Sequence, residues 1–438
     1  MIFKNLHLNG RERKTFRLHL SYSLIEGIIA GLLILNEFVF LKSIKGSPFQ
    51  LSFLFQFSAL VLIVSIFTNE FLRRIKNKKK LLRVTSLITR LPLFLLLFFP
   101  RNAASVQGSE IYHYIFLSIF FVFYLSSPII FPLINLFLKS NYRHEKFGML
   151  YSYSTTLNKI VMLVVTFLFG MLLDFDNFAF VYIYPIMGFL GMVSVFLLSK
   201  INYRVSEEVH VTKPFMTSIK ESIKKMRTTI KSNKPFKDFE IGFNLYGFAF
   251  MSTTTVITIF YEKELMLNYT SVAFYKNVYN ILAIAILPFF GRLLGKIDPR
   301  KFAAITFGSL LLYLLFLGLT EFFPFYSEIW GVKVYYMLMI GIVFHGVFAA
   351  TMSLLWSIGS AYFCKKEDAA DYQAIHLTQT GVRAVFAPML GVLFFSLVGY
   401  SGTFGIAILS LLLAIIWMIK SYKQKIIVDS ANKSIIEI

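Results

Sequence analysis

Residues 371–391 read DYQAIHLTQTGVRAVFAPMLG. Gln373, His376, Gln379, Thr380 and Arg383 recur at steps of three and four, which places them on one face of a helix. At about 1.5 Å per residue, Gln373 to Arg383 covers about 15 Å, half of a bilayer core of about 30 Å. A polar stripe that deep, ending in a guanidinium, must face protein or water, because a charge facing lipid costs several kcal/mol.

Working outward, the surrounding chain is lipid-soluble. Of 438 residues, 57% are hydrophobic and 15% charged, with a mean hydropathy of +0.67. Soluble domains carry about 25% charged residues. Fifty Phe and 23 Tyr suit lipid-facing surfaces and interfacial belts. Cys364 is the single cysteine and excludes an intramolecular disulfide. The net charge of +21 does not point to nucleic acid, because no basic stretch interleaved with aromatics lies outside the hydrophobic framework. Lys4, Arg11, Arg13, Lys14 and Arg17 precede the first apolar run, which is too long for a signal-peptide core and lacks a small-residue cleavage site. It reads as an uncleaved first span.

Spanning apolar runs begin near Leu18, Gln50, Arg83, Ile111, Gly148 and Phe178, then near Glu240, Ser271, Phe302, Lys333, Tyr372 and Gly402. With the N-terminus inside, 35 of the 44 Lys and Arg fall in inside segments and five (Lys42, Lys45, Arg101, Lys263, Lys333) in outside loops. Arg90, Lys159, Lys276 and Arg383 lie within spans. This bias predicts twelve spans with both termini cytoplasmic in a multi-pass protein of the cell (inner) membrane. The expected organisation is a six-helix bundle over 1–200, a cytoplasmic linker over 201–239, a second six-helix bundle over 240–422 and a cytoplasmic tail over 423–438. Within the linker, Phe215, Ile219, Ile223, Met226 and Ile230 fit either an amphipathic helix on the inner leaflet or a solvated connection.

The two halves repeat. At an offset of 224, Lys159 meets Arg383, Ser152 meets His376, Thr155 meets Gln379 and Thr156 meets Thr380. After spans two and eight, an offset of 222 brings Arg74 to Lys296, Ile75 to Ile297, Lys78 to Arg300 and Lys79 to Lys301. Internal duplication of this kind is common to many transporter folds.

Six plus six spans, a basic central loop and short motifs after spans two and eight resemble the major facilitator superfamily. Its motif, roughly Gly-x-x-x-Asp-Arg/Lys-x-Gly-Arg/Lys-Arg/Lys, is matched by Gly291, Lys296, Arg300 and Lys301, and in the first copy by Arg74, Lys78 and Lys79. Arg73 and Gly295 stand where the family has its acid. Residues 142–148, YRHEKFG, resemble the family's Arg-x-x-x-Phe-Gly entry to span five. The resemblance implies an all-α membrane fold of two pseudo-symmetric bundles and secondary transport by alternating access. It also implies that spans one, four, seven and ten line a central cavity, and that spans two, five, eight and eleven lie between the halves. The motif residues would form a cytoplasmic gate.

Three cations, Arg90, Lys159 and Arg383, are then comparably deep against one carboxylate, Glu26; Glu37 sits toward the outer end of span one. Unpaired buried charge is costly. Two readings follow. Either Arg383 and Lys159 hold an anionic or carboxylate-bearing solute, which the arginine fork suits, or Glu26 pairs with one cation as a gate or brace. Gln379, Asn244 and Trp356 are further candidates for substrate contact. Glu26 and His376 are candidates for proton coupling or gating. Asn135, His345 and Ser353 are weaker positions on cavity-type spans, and Pro128, Pro132 and Pro388 are expected kinks. No phosphate-binding loop and no His/Cys cluster with metal-ligand spacing is present, so neither cofactor nor metal is expected. The expected partners are a small-molecule substrate and the lipid bilayer, with the chain monomeric and not an enzyme. Two alternatives stand beside this one: a polytopic lipid acyltransferase using His345, and a non-transporting scaffold or sensor.

Overall fold

The computed structural model describes residues 8–107, 109–202, 214–364 and 368–436. The expected linker therefore lies partly outside the described residues, as do Lys365 and Lys366 and the side chains of Arg73, Phe215 and Ile219.

The chain is helical almost throughout and divides into two compact units, residues 1–219 and 220–438. The first holds α1 (Gly10–Leu33), α2 (Asn36–Lys42), α3 (Pro48–Arg74), α4 (Lys78–Arg90), α5 (Ala103–Gln107), α6 (Ile111–Tyr124), α7 (Ser127–Lys139), α8 (His144–Phe175) and α9 (Phe180–Ser199). A helix, α10 (Phe215–Ser232), runs across the division. The second unit continues with α11 (Lys234–Ile259), α12 (Tyr269–Leu294), α13 (Pro299–Phe322), α14 (Tyr336–Leu354) and α15 (Ala369–Ile436). A short antiparallel hairpin, β1 (Tyr326–Ile329) and β2 (Val332–Tyr335), precedes α14. The span expected from near Lys333 thus starts at Tyr336, because Val332 to Tyr335 pair as a strand instead.

Local chemistry sets the helix starts. Asn9 with Glu12, and Ser47 with Gln50, form reciprocal capping boxes, the second followed by Pro48 at the first helical position. Asn268 and Asp298 cap α12 and α13 through side-chain oxygens. Among the described residues, ten segments are long and apolar enough to cross a membrane, from Gly10–Lys42 to Asp371–Gln424. The 27-residue α3 lies between the first two of them. The last segment counts once although two spans were expected there, because the helical run continues through a kink at Gly399, whose φ of +68° suits glycine.

A parallel helix pair in the first unit matches one in the second in register. In the first, α1 packs on α8: Ser154 Oγ lies 3.3 Å from His19 Nδ1, and Asn158 donates to the Ser23 carbonyl (2.8 Å). Thr166 donates to the Gly31 carbonyl at 3.1 Å. In the second, α11 packs on α15, joined by His376 with Glu240 and Gln379 with Asn244. Partners are 135 residues apart in the first unit and 135 or 136 in the second. This register makes Ser154 the counterpart of His376 and Asn158 that of Gln379, offsets of 222 and 221. The expected offset of 224 is corrected to the value that the loop motif carries, and Lys159 is not the counterpart of Arg383.

Candidate functional site

In the second unit the stripe that begins at Gln373 faces α11. His376 and Glu240 are 1% and 2% exposed, and Nδ1 of His376 lies 2.9 Å from Oε1 of Glu240. The His376 ring sits in an aromatic wall, edge-on to Phe243 at 4.7 Å and to Trp356 at 5.2 Å between centroids. One helical turn on, Asn244 Nδ2 donates to Gln379 Oε1 and to the Glu240 carbonyl. At the start of the stripe, Gln373 Nε2 donates to the Trp356 carbonyl (2.9 Å) and its Oε1 accepts from Ser360 (2.6 Å). Trp356 lies in a π-helical turn, Leu355–Gly359, an irregularity that frees main-chain carbonyls for such bonds.

Arg383 is buried. Its Nη1 donates to the Phe243 carbonyl at 2.9 Å and its Nη2 to Thr380 Oγ1 at 3.0 Å. Gly247 makes this possible: a Cβ there would lie 2.1 Å from Arg383 Nε and 2.2 Å from its Cζ. The guanidinium occupies the space a side chain would take. Tyr246 contributes its ring, with the guanidinium carbon 5.9 Å from the centroid.

The first unit builds an arginine site by the same means from other helices. Arg90, buried at the end of α4, donates through Nη1 to the Phe123 carbonyl (3.1 Å), Ser126 Oγ (2.9 Å) and Thr89 Oγ1 (3.2 Å). Phe123 and Ser126 flank the break between α6 and α7, where Pro128 at the second helical position restarts the helix. Span four is therefore two short helices, and its broken backbone supplies the acceptor. The Phe123 ring lies 3.9 Å below the guanidinium. Gly191 clears the other side, since a Cβ there would fall 2.9 Å from Arg90 Nε. Glu26 accepts from Ser194 Oγ at 2.5 Å, one turn beyond Gly191 on α9, and interacts electrostatically with Arg90 without a direct hydrogen bond.

Both sites thus hold a buried guanidinium on a main-chain carbonyl and a hydroxyl, in a slot left by glycine, near a carboxylate that does not bond it. In both, Nε is buried without a hydrogen-bond partner among the described residues; Glu240 Oε2 and His376 Nε2 share that condition. Buried polar atoms are ordinarily satisfied, and the exceptions tend to mark function.

The other candidates are dispersed. Lys159 is half-buried on α8, next to Asn158. Arg300 is 2% exposed, forks onto Asp298 through Nε and Nη2 at 3.0 Å each, and bonds the Ser421 carbonyl (2.9 Å) and Oγ (3.0 Å) through Nη1. It ties the start of α13 to the end of the membrane stretch of α15. Lys301 lies over the Tyr422 ring at 4.2 Å. Gly291 and Lys296 are exposed. In the first copy, Lys78 donates to the Ile75 carbonyl (3.1 Å) and Lys79 to Asn202 Oδ1 (2.8 Å); Arg74 is exposed. Arg143 of the span-five entry motif grips the buried Glu12 of α1 through Nε (3.0 Å) and Nη2 (3.2 Å). His345 stacks between Tyr279 and Tyr313 at 4.1 and 4.3 Å. Among the described residues no group of three His, Cys, Asp or Glu could hold a metal ion.

Sequence reasoning missed Glu240 as a partner and Asp298 as the acid of the loop motif. Glu240 falls 136 residues from His376, one residue from the register of the Asn244–Gln379 pair, and that parallel register is the signal that finds it.

A family model described as Major Facilitator Superfamily matches residues 18–332. A mutant of the nucleoside transporter NupG matches the structure with a TM-score of 0.68 at 11% identity, over 93% of this chain and 100% of that one. A mutant of a peptide transporter POT gives 0.68 at 10% identity, over 94% of both chains. A POT family transporter in complex with 5-aminolevulinic acid gives 0.66 at 12% identity, over 93% and 96%. At these identities the likeness is one of fold. No curated protein matches the sequence.

Proposed function

The chain belongs to the major facilitator superfamily, and on that premise we propose that it is a secondary transporter moving a small anionic organic solute by alternating access. Twelve spans in two six-helix bundles, joined by the linker and placed in the cell membrane with both termini cytoplasmic, complete the reading. The observation that carries the anionic preference is the buried guanidinium of Arg383, which among the described residues bonds only neutral oxygens and leaves Nε unpartnered. A cation held this way keeps its field for a ligand instead of neutralising it against a side chain. Gln379, Asn244 and Trp356 are half-buried and form the contact set of the proposal in the second unit. Arg90 supplies the matching field in the first unit.

Proton coupling is assigned to the carboxylates beside these cations. Glu240 and His376 share one hydrogen bond and each keeps a second buried polar atom free. The hydrogen-bonded carboxylate and imidazole offer a proton two adjacent buried positions. Glu26 offers the same chemistry beside Arg90. A second reading is favoured by the electrostatic proximity of Glu26 to Arg90: this pair braces spans one, three and six and takes no part in binding.

The test is a screen of purified protein against pools of carboxylates, phosphates, amines and neutral sugars for thermal stabilisation, followed by uptake into liposomes. Stabilisation and uptake confined to anions support the reading. Uptake of neutral or cationic solutes alone, or no uptake, refutes it.

A further inference from the structure

A second cationic feature lies away from the arginine sites, at one end of the first unit. The first turns of α1, the start of α4 and the end of α9 enclose a cleft of about 670 Å³. Its lining includes Arg13, Lys14, Arg17, Lys79, Arg83 and Lys200, and no acid. Among the described residues two of the six have hydrogen-bond partners: Arg83 Nε donates to Ser199 Oγ (2.9 Å) and Lys79 to Asn202 (2.8 Å). Both partners are neutral, so the bonds orient the cations without neutralising them. Phe196 holds two more contacts, with Arg83 5.2 Å and Lys200 4.8 Å from its centroid. The one acid in the first turn of α1, Glu12, is taken by Arg143 and its own cap.

Six like charges around one concavity repel each other, and a helix N-terminus adds to the positive potential. A surface with no further use for them would spread them or interleave acids. The charges here line a recess, and side-chain hydrogen bonds and a ring fix some of them in it. The charge bias of the chain puts this end at the cytoplasmic leaflet, where anionic headgroups lie within reach, and basic pockets between helices on that side take such headgroups.

We propose that this cleft is a binding site for a phosphate-bearing anion, with Arg13, Arg17 and Arg83 as forked ligands and Lys14, Lys79 and Lys200 as point charges. The phosphate comes from an anionic phospholipid headgroup or from a soluble phosphate compound. The cleft uses neither Arg383 nor Arg90, and its failure would leave the reading of the arginine sites untouched.

The test uses the full chain, purified in a neutral detergent, with two probes: short-chain phosphatidylglycerol and inorganic phosphate, each read by the shift in unfolding temperature. The triple variant Arg13→Gln, Lys14→Gln, Arg17→Gln removes three exposed cleft cations. Its control, Lys220→Gln, Lys224→Gln, Lys231→Gln, removes three exposed charges from α10. The expected result is at least a tenfold loss of apparent affinity in the cleft variant and less than a twofold change in the control. Saturable binding of phosphatidylglycerol alone identifies a lipid site, and binding of inorganic phosphate with equal or higher affinity identifies a soluble ligand. Arg17→Gln alone serves if the triple variant does not insert. No saturable shift with either probe, or equal losses in cleft variant and control, overturns the proposal.

Discussion

Replacing Gly247 with Ala is the sharpest probe of the second arginine site. In a helix interior this change ordinarily stabilises, by about 1 kcal/mol, through helix propensity. Here the new Cβ would lie 2.1 Å from Arg383 Nε and 2.2 Å from Cζ, so the guanidinium must leave its slot. Leaving breaks its bonds to the Phe243 carbonyl and to Thr380. Hydrogen bonds to a charged group are worth about 1.5–3 kcal/mol each, and forcing an extra methyl into a packed interior costs about 1–3 kcal/mol. The losses exceed the propensity gain by roughly 3 kcal/mol or more, about a hundredfold in an equilibrium constant. The measurement is a double-mutant cycle on the unfolding midpoint in detergent, with Gly247→Ala placed on wild-type and on Arg383→Ala backgrounds. The clash requires Gly247→Ala to be strongly destabilising in the first and close to neutral in the second, a non-additivity expected of contacting residues. Gly291→Ala supplies the contrast, since nothing lies within 4 Å of its Cβ. Equal costs for Gly247→Ala on the two backgrounds, or no cost on wild type, would refute the reasoning.

Other outcomes follow from the same contacts. Arg383→Lys keeps the charge but cannot reach both oxygens as a fork, so solute uptake should fall at least tenfold while membrane insertion, read by surface labelling, is unchanged. Glu240→Gln removes the carboxylate bonded to His376 and should abolish uptake driven by an imposed proton gradient while sparing counterflow; gradient-driven uptake equal to wild type removes Glu240 from coupling. Arg300→Gln breaks four side-chain hydrogen bonds, removes the ion pair to Asp298 and should lower the unfolding midpoint by several degrees, whereas the exposed Lys296→Gln should not. Lys225→Ala removes an ion pair to Asp371 that is largely exposed on both sides, and the midpoint should not change.

The helical membrane fold was legible because hydropathy and the distribution of Lys and Arg report the solvent each segment meets. The stripe through His376 and Arg383 was legible for the same reason, since polar side chains at helical spacing cannot face lipid. What faces it was not. Glu240 follows a run of Lys, Phe and Asp that reads as the watery end of a span, and only the parallel register of α11 and α15 brings it against His376. The repeat was legible but misplaced by two or three residues, because matching Lys159 to Arg383 by charge set the offset, whereas the helix contacts set the register. The register fixed by Asn158 and Gln379 separates Lys159, half-buried, from Arg383, buried. The glycine slots at Gly191 and Gly247 could not be read at all: a glycine in a membrane helix announces a close approach but not what approaches. In the loop motif, Arg300 draws its acid from Asp298, two residues before it, and not from the position where the family places one.

Counterflow isolates alternating access by an anion-favouring site from any energy source. Liposomes carrying the protein and loaded with an excess of an unlabelled anion that stabilises it are diluted into the labelled compound. Transient accumulation of label above the equilibrium level, lost in Arg383→Ala, is the predicted result. Label that never exceeds equilibrium for any stabilising anion, or counterflow undiminished in Arg383→Ala, would contradict it.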